Sequence, residues 1–226
     1  MRWVARFVKR GSMTKNYDYV IWDFNGTLLD DVQTGILSVN KLLTDRGLKP
    51  IESVEHYRKI FRFPIIDYYK LAGFDFDKEP YEILAPQWVK LYLEYVKKAG
   101  LFSDVVETLS MLKECGIKQI VLSATEKEML EGQLSTLGIR EYFEEVLGLD
   151  NIHAGSKLSL ANDWRSRHPN ERAILVGDTD HDVQAADTLK AECILIGRGH
   201  QSGEYLSKLG VPVYSTLTEA FENLKI

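Results

Sequence analysis

The chain has 226 residues, of which 45% are hydrophobic and 27% charged, which is typical of a globular protein with one large core or a core and a smaller inserted domain. Its net charge of −5 and pI near 5.6 argue against nucleic-acid and anionic-membrane partners, because both require a basic surface. The sequence contains no apolar run of the roughly 18 residues that a membrane span needs.

Cysteine usage and the first residues give two further expectations. Cys115 and Cys193 belong to no CxxC motif or Cys/His cluster, which predicts two buried free thiols and a reducing, cytoplasmic compartment. The opening MRWVARFVKRGSM is basic but lacks the apolar segment of a signal peptide. We expect residues 1–16 to be a tag or extension, disordered and outside the folded unit.

The predicted elements begin with a buried strand, Tyr19–Phe24, which ends at the turn-forming pair Asn25-Gly26. Between residues 32 and 99 the pattern is helical, with no strand signal. The helices predicted there are Val32–Arg46, Glu52–Phe61, Ile65–Leu71 and Pro80–Lys98.

After Gly100 strands and helices alternate to the end of the chain, which favours a parallel sheet covered on both faces. The predicted strands are Lys118–Ser123, Val146–Leu149, Ala173–Val176, Glu192–Ile196 and Val213–Tyr214. The predicted helices are Val105–Glu114, Glu126–Leu137, Leu158–Ser166, Val183–Leu189, Glu204–Leu209 and Leu217–Leu224. The sequence therefore predicts a doubly wound, Rossmann-like α/β core from residues 17–31 and 100–226, with residues 32–99 inserted as an all-helical domain.

Three carboxylates follow predicted strands. Asp23 follows the first strand, and Asp178 and Asp182 lie in the segment GDTDHD after the strand Ala173–Val176. Ligands of such sheets bind beyond the carboxyl ends of the strands, and clustered carboxylates require a cation. Oxygen ligands of this kind are typical of Mg²⁺, so we expect the three groups within about 8 Å of one another, around one ion.

Two further side chains fit the chemistry of phosphate at this edge of the sheet. Ser123, at the end of its strand, would donate a hydrogen bond to a phosphoryl oxygen, and Lys157 would supply a positive charge. Asp23, just before a glycine-containing turn, is placed to attack phosphorus as a nucleophile.

These residues resemble the four motifs of the haloacid dehalogenase superfamily. The motifs are DFNGT at Asp23–Thr27, VLSAT around Ser123, Lys157, and VGDTDHD at Val176–Asp182. The insertion resembles the helical cap of phosphoglycolate-phosphatase-like members. The resemblance implies a phosphatase for a small phosphorylated metabolite and leaves its oligomeric state open.

The resemblance also implies roles for individual residues. Asp23 would form an aspartyl-phosphate and bind Mg²⁺ together with the backbone carbonyl of Asn25, while Asp178 and Asp182 complete the metal site. The phosphate would be held by Ser123, Lys157, Gly26 and Thr27.

Other phosphate-handling folds fit this sequence less well. It lacks the GxxxxGK[ST] of a P-loop, and its first strand ends in DFNGT rather than the GxGxxG of a dinucleotide-binding fold. A receiver domain is also phosphorylated on aspartate, but it is far shorter and has no helical block after its first strand.

Each candidate also has a simpler interpretation. Asp23 could be a turn residue, Asp182 could cap the next helix, and Lys157 could be a solvated lysine. The same holds for His181 as a loop residue and for three residues of the insertion that could face a substrate, Arg58, Arg62 and Tyr68. The order of the four motifs favours the functional interpretation of the carboxylates and the lysine.

Asn25 departs from the pattern that it resembles, in which this position is an aspartate that protonates the leaving group and then activates water. An amide does neither, and loss of such a group commonly slows a reaction by about 10²–10⁴. Three hypotheses remain: a phosphatase in which something replaces the acid, a phosphate-binding or regulatory protein, or an Asn-Gly pair that is engineered or deamidates to aspartate.

Overall fold

In the computed structural model, which describes residues 16–150 and 156–224, the core is a six-stranded parallel sheet with the order β5-β4-β1-β6-β7-β8. A separate antiparallel pair joins β2 and β3. The strands are β1 Tyr19–Trp22, β2 Leu29–Asp30, β3 Gly100–Leu101, β4 Lys118–Glu126, β5 Glu145–Leu149, β6 Ala173–Gly177, β7 Glu192–Ile196 and β8 Val213–Tyr214.

The first strand lies at the centre of the sheet, and the chain builds outward from it on both sides. It continues to β4 and β5 on one side and then crosses to β6, β7 and β8 on the other. The strand order therefore reverses between β1 and β6, and the crevice beyond the carboxyl ends of these two strands is where such sheets bind ligands. The predicted doubly wound α/β fold is confirmed.

Alternate side chains of β1 enter two different hydrophobic clusters, one on each face of the sheet. Val20 and Trp22 belong to one cluster, and Tyr19 and Ile21 to the other. This alternation follows from the two-residue period of a strand, and burial on both faces explains why the segment reads as a continuous apolar run. The covering helices are Val105–Glu114, Lys127–Thr136, Lys157–Arg167, Asp180–Leu189, Gly203–Leu206 and Leu217–Leu224, with a 3₁₀ turn at Arg140–Tyr142.

The helical block has a hydrophobic cluster of its own. Its helices are Val32–Asp45, Val54–Ile60, Ile65–Ala72 and Tyr81–Tyr95, followed by a 3₁₀ turn at Val96–Lys98. Side chains such as Val39, Tyr57 and Leu84 are buried against one another rather than against the sheet. The strands β2 and β3 pair where the chain enters and leaves this block, a feature that two residues per strand are too few to predict.

The observed helices and strands depart from the predicted ones mainly at their ends. The helix after β6 begins at Asp180 rather than at the predicted Val183. Thr179 is the N-cap and Asp182 lies in the first turn, where the two form a capping box. Strand β4 continues past Ser123 to Glu126.

Three remaining expectations concern the whole chain. Cys115 is exposed and Cys193 is half-buried, so the prediction of two buried thiols is wrong, although both are free. Within the residues that the structure describes, none of the helices is both long and apolar enough to cross a membrane. The expectation for the N-terminal segment falls on residues 1–15, which lie outside the described residues, and on Asn16.

The separate helical cluster predicts a sharp contrast between two neighbouring residues of one helix. Leu84 is fully buried, whereas the adjacent Ile83 is 54% exposed. We expect Leu84→Ala to lower the free energy of unfolding by about 2–5 kcal/mol through the cavity it leaves. Ile83→Ala, the control, should change it by less than about 0.5 kcal/mol in chemical denaturation. Equal effects of the two substitutions would contradict the burial described here.

Candidate active site

The three predicted carboxylates meet at the crevice between β1 and β6. The two strands pair in register up to Trp22 and Val176, and the backbone N–H of Asp23 donates to the carbonyl of Val176 at 2.9 Å. Asp23, Asp178 and Asp182 each offer a carboxylate oxygen within 4.8 Å of the others, and all three are buried. The separation is well inside the 8 Å expected for ligands of one ion.

Lys157 contacts two of these carboxylates. It is the first residue of its helix and is 3% exposed; its Nζ donates to Asp23 Oδ1 and, at 2.5 Å, to Asp182 Oδ1. Burial alone would lower the pKa of Lys157, but Asp182 and Asp23 outweigh it and raise the pKa, so the ammonium stays charged. A solvated surface lysine is thereby excluded.

Asp182 has one oxygen in the site and one in the helix cap. Its Oδ2 accepts from the N–H of Asp178 at 3.1 Å, from the N–H of Thr179 at 2.9 Å and from Thr179 Oγ1 at 2.7 Å. The simpler interpretation of Asp182 as a capping residue and the functional interpretation are therefore compatible, because each uses a different oxygen.

The cluster carries more negative charge than Lys157 alone neutralises. Asp178 accepts a hydrogen bond from the backbone N–H of His200 at 2.6 Å, and Thr27 Oγ1, whose one proton can go to Asp178 or to Asp23, lies 3.2 Å away; both groups are neutral. Burial, together with the neighbouring carboxylates, raises the pKa of Asp178 well above its usual range, and burial raises that of Asp23 to about 6 in spite of Lys157. A divalent cation would remove this imbalance, and three carboxylates are a donor set suited to Mg²⁺.

Glycines leave the space around these carboxylates that a metal site requires. A Cβ added at Gly26 or Gly199 would lie 2.3 or 2.1 Å from Asp178 Oδ2, and one at Gly177 would lie 2.2 Å from Asp182 Cγ. Gly26 also has a φ of +75°, which disfavours other residues. The residues present thus fit a magnesium ion in donor chemistry, and the glycines leave room for the carboxylates that would hold it.

The predicted phosphate-binding residues lie at the same crevice, but not all of them have a free donor. Ser123 is buried and lines the cavity, where its hydroxyl donates to Thr125 Oγ1 at 3.1 Å. Thr27 Oγ1 lies 3.1 Å from Asp23 Oδ2 and donates to that oxygen or to Asp178. The N–H of Gly26 already donates to Asp31 Oδ1 at 2.8 Å, so it serves the turn rather than a phosphate.

The side chain of Asn25 uses both ends of its amide. Its Nδ2 donates to Asp31 Oδ2 at 3.0 Å and to the Tyr92 hydroxyl at 2.7 Å, and its Oδ1 accepts from Thr125 Oγ1 at 3.0 Å. An ionised aspartate at position 25 would bring a second carboxylate against Asp31. The neutral amide is therefore the complement of the carboxylate next to it.

Asp31 is in turn paired with a buried histidine. His200 Nε2 lies 3.2 Å from Asp31 Oδ1, and Nδ1 lies 2.8 Å from the Tyr57 hydroxyl. Burial opposes protonation, but Asp31 raises the pKa of His200 to about 9, while contacts with His200 lower the pKa of Asp31 in spite of its burial. The pair is charged at neutral pH, and Tyr92 donates a further hydrogen bond to Asp31 at 2.5 Å.

These network residues were not predicted. Asp31 and His200 are 169 positions apart, and the helical block brings Tyr57 and Tyr92 to them. The one hint in the sequence was Asp31, the second acid of the run LLDD. An acid at this position is equally typical of the start of the following helix.

Of the three insertion residues that could face a substrate, only Tyr68 lines the cavity. Arg58 donates to the carbonyls of Arg198 and, at 2.8 Å, of Gly199, which ties its helix to the segment that carries His200. Arg62 donates to carbonyls of its own segment, Lys59 and Ile60, from an exposed position. The idea that the two arginines bind a substrate is not supported by their contacts.

The crevice opens into a cavity of about 360 Å³ between the sheet edge and the helical block. Carboxylates, Ser123 and Lys157 line it together with aromatic side chains of the helical block. His181 also lines it, 4.8 Å from the ring of Phe63, and burial lowers its pKa, so its imidazole is neutral at pH 7.

Comparison with known proteins identifies a family for this fold. The family model described as haloacid dehalogenase-like hydrolase matches residues 20–196. The chain is 22% identical to a phosphoglycolate phosphatase of Colwellia psychrerythraea over 92% of this chain and 97% of the relative. It is 25% identical to a phosphoglycolate phosphatase of Aquifex aeolicus, over 74% and 78% of the two chains.

Solved structures share the fold at low sequence identity. A haloacid dehalogenase-like hydrolase of Streptococcus pneumoniae superposes with a TM-score of 0.74 at 18% identity, covering 93% of this chain and 100% of the other. Protein Tyrosine Kinase A of Mycobacterium tuberculosis gives 0.78 at 22% identity, covering 94% and 100%. Proteins described by different activities therefore share this fold, and only the site can distinguish between functions.

The glycines around the carboxylates give a prediction about metal binding. In Gly199→Ala, the new Cβ must displace the carboxylate of Asp178, so Mg²⁺ affinity measured by calorimetry should fall about 10- to 100-fold. Gly132→Ala is the control, because a Cβ there meets no atom within 4 Å. An Mg²⁺ affinity of Gly199→Ala within twofold of the unaltered protein would contradict this site.

Proposed function

The chain belongs to the haloacid dehalogenase-like hydrolases and is a phosphoric monoester hydrolase, and on that premise we propose an Mg²⁺-dependent phosphatase that acts through an aspartyl-phosphate on Asp23. The observation that carries the proposal is the buried group of Asp23, Asp178 and Asp182 within 4.8 Å, with Lys157 bonded to two of them. Its substrates would be small phosphate esters, as the name phosphoglycolate phosphatase states for several relatives.

The chemistry begins with Asp23. One carboxylate oxygen attacks phosphorus, the bond from phosphorus to the ester oxygen breaks, and the leaving group departs with that electron pair. Water then attacks the aspartyl-phosphate, releasing phosphate and restoring Asp23. Lys157 and Ser123 would hold the phosphoryl oxygens during both steps, and Thr27 orients the nucleophile through its hydrogen bond at 3.1 Å.

The metal would be held by Asp23, Asp178, Asp182 and, by the family resemblance, the backbone carbonyl of Asn25. Bound Mg²⁺ would offset the charge of these carboxylates and of the phosphoryl group.

We also propose that residues 32–99 act as a cap over the site. Their separate hydrophobic cluster supports this, as does the pairing of β2 with β3 at the junction. Tyr57 and Tyr92 of the block bond to His200, Asn25 and Asp31 at the core, and such contacts would close the cavity against water.

The hydrogen bonds of Asn25 support the amide as the working side chain. Deamidation would place a carboxylate about 3.0 Å from Asp31, the Nδ2–Oδ2 distance in the structure, and one of the two acids would then be protonated. We infer that the enzyme operates without an acid at position 25. His181, the first candidate for a replacement, is neutral and suited to accept rather than donate a proton at pH 7.

The phosphatase proposal predicts that turnover depends on the nucleophile. Asp23→Asn should lower kcat by at least about 10⁴ in the presence of Mg²⁺, because the amide cannot attack phosphorus. Asp180→Asn is the matched control; Asp180 lies in the same motif as Asp178 but bonds to Gln201 and Tyr205, each at 2.9 Å, and should retain most activity. Phosphate binding with no Asp23-dependent turnover would instead support the alternative of a phosphate-binding or regulatory protein.

An acid restored at position 25 should accelerate cleavage more for substrates whose leaving group is more basic. Asn25→Asp should accelerate cleavage of alkyl phosphates by about 10²–10⁴ and aryl phosphates far less, because a phenoxide leaves without a proton. Single-turnover rates for the two ester classes measure this. The double variant Asp23→Asn/Asn25→Asp should show no acceleration of cleavage for either ester class.

The Asn25→Asp variant should also show how Asp31 affects the pH dependence of the cleavage rate. Its new acid must be protonated to donate, so the rate falls as pH rises through its pKa, which the Asp31 carboxylate raises. Asp31→Asn in the Asn25→Asp background should lower that pKa and move the fall in rate to lower pH. An unchanged profile would mean that the two side chains do not interact.

A further inference from the structure

We propose that the leaving group of the substrate is an uncharged aromatic group, so that the chain hydrolyses aryl phosphate monoesters in preference to small anionic ones. This assignment of a substrate class rests on the phosphatase function proposed above. It is carried by the lining of the cavity beyond the carboxylates, and independently by the amide at position 25.

Part of the cavity wall is aromatic. Trp88 and Tyr92 stack on one another with centroids 4.9 Å apart and planes at 20°, and Phe61 stacks on His200 at 5.0 Å and 27°. Tyr68 completes this part of the wall, and all of these residues line the cavity. Flat side chains in such an arrangement favour a flat apolar group, which they can contact over its faces and edges.

Among the described residues, the positively charged side chains that line the cavity are already paired. Lys157 is engaged by Asp23 and Asp182, and His200 is paired with Asp31. Arg58 is bonded to backbone carbonyls. A leaving group with its own carboxylate, such as glycolate, would enter this aromatic space without a partner for its charge.

The amide at position 25 points to the same class of ester. An alkoxide needs a proton to leave, whereas a phenol has a pKa near that of tyrosine, about 10, and departs as phenoxide far more readily. Asn25 has no carboxyl group from which to donate that proton. A site with an aromatic wall and no acid at position 25 is therefore matched to aryl esters in both binding and bond cleavage.

Four substrates separate the two effects. Phenyl phosphate has an aromatic, weakly basic leaving group; benzyl phosphate has an aromatic but strongly basic one. Acetyl phosphate has a small, weakly basic leaving group, and 2-phosphoglycolate a small, charged and strongly basic one. We expect KM for the two aromatic esters to be at least tenfold below that for acetyl phosphate, and kcat/KM to be highest for phenyl phosphate.

Variants of the wall assign the preference to named residues. Trp88→Leu should raise KM for phenyl and benzyl phosphate about tenfold and leave acetyl phosphate unchanged. Tyr95→Leu is the matched control, because Tyr95 lies on the same helix but does not line this cavity, and should change none of the four. Thermal melting of both variants shows whether they are folded.

Two phosphonates that cannot be hydrolysed measure the binding preference separately from catalysis. With Mg²⁺ present, benzylphosphonate should bind at least tenfold more tightly than methylphosphonate, and Trp88→Leu should abolish the difference. If this holds without turnover, the aromatic specificity stands and the phosphatase proposal fails. If 2-phosphoglycolate or acetyl phosphate has the highest kcat/KM, and Asp23→Asn abolishes it, the phosphatase proposal stands and the aromatic inference is overturned. Equal binding of the two phosphonates also overturns it.

Discussion

The site is organised by an excess of buried negative charge beyond the carboxyl ends of β1 and β6. Burying a carboxylate is unfavourable unless cations or hydrogen bonds compensate, and Lys157 reaches only two of the three acids. The rest of the local structure accommodates this constraint. Glycines at positions 26, 177 and 199 leave room around the acids, and the backbone N–H groups of Asp178 and Thr179, just before the helix that begins at Asp180, donate to Asp182. A further cation, such as the Mg²⁺ proposed above, would balance this cluster.

A second buried pair, Asp31 with His200, determines what position 25 can be. Asp31 accepts hydrogen bonds from His200, Gly26, Tyr92 and Asn25, so each oxygen has two donors. An amide adds a donor to this arrangement, whereas an ionised carboxylate would add repulsion in a buried environment. The departure at Asn25 is thus one member of a coupled set of side chains rather than an isolated loss.

The parts of this site that sequence could predict are those fixed by strand topology. Asp23 and Asp178 follow parallel strands, whose carboxyl ends share one edge of the sheet, and Ser123 lies in the last part of a third strand, β4. Lys157 begins the helix before β6. The partners of Asn25 could not be predicted, because Tyr92 reaches it from a helix 67 residues away. Such contacts depend on how the helical block packs on the core, and helical periodicity gives a buried face but no partner for it. The start of the helix at Asp180 was missed for a local reason, since a capping box made by Thr179 and Asp182 overrides the apolar pattern that begins at Val183.

Binding and chemistry in this site are linked through the same few side chains. Tyr92 belongs both to the aromatic wall and to the hydrogen-bond network of Asp31 and Asn25, so the surface that selects the leaving group is bonded to the residue that would otherwise protonate it. A substrate whose leaving group needs no proton does not require an acid at position 25, and an amide there can then serve to hold Tyr92 and Asp31 in place. An amide in place of the acid would then narrow the range of leaving groups and would hold the cavity wall in place. On the proposed function, leaving-group specificity in this chain would be set jointly by the core and by the helical block, and neither part alone would account for it.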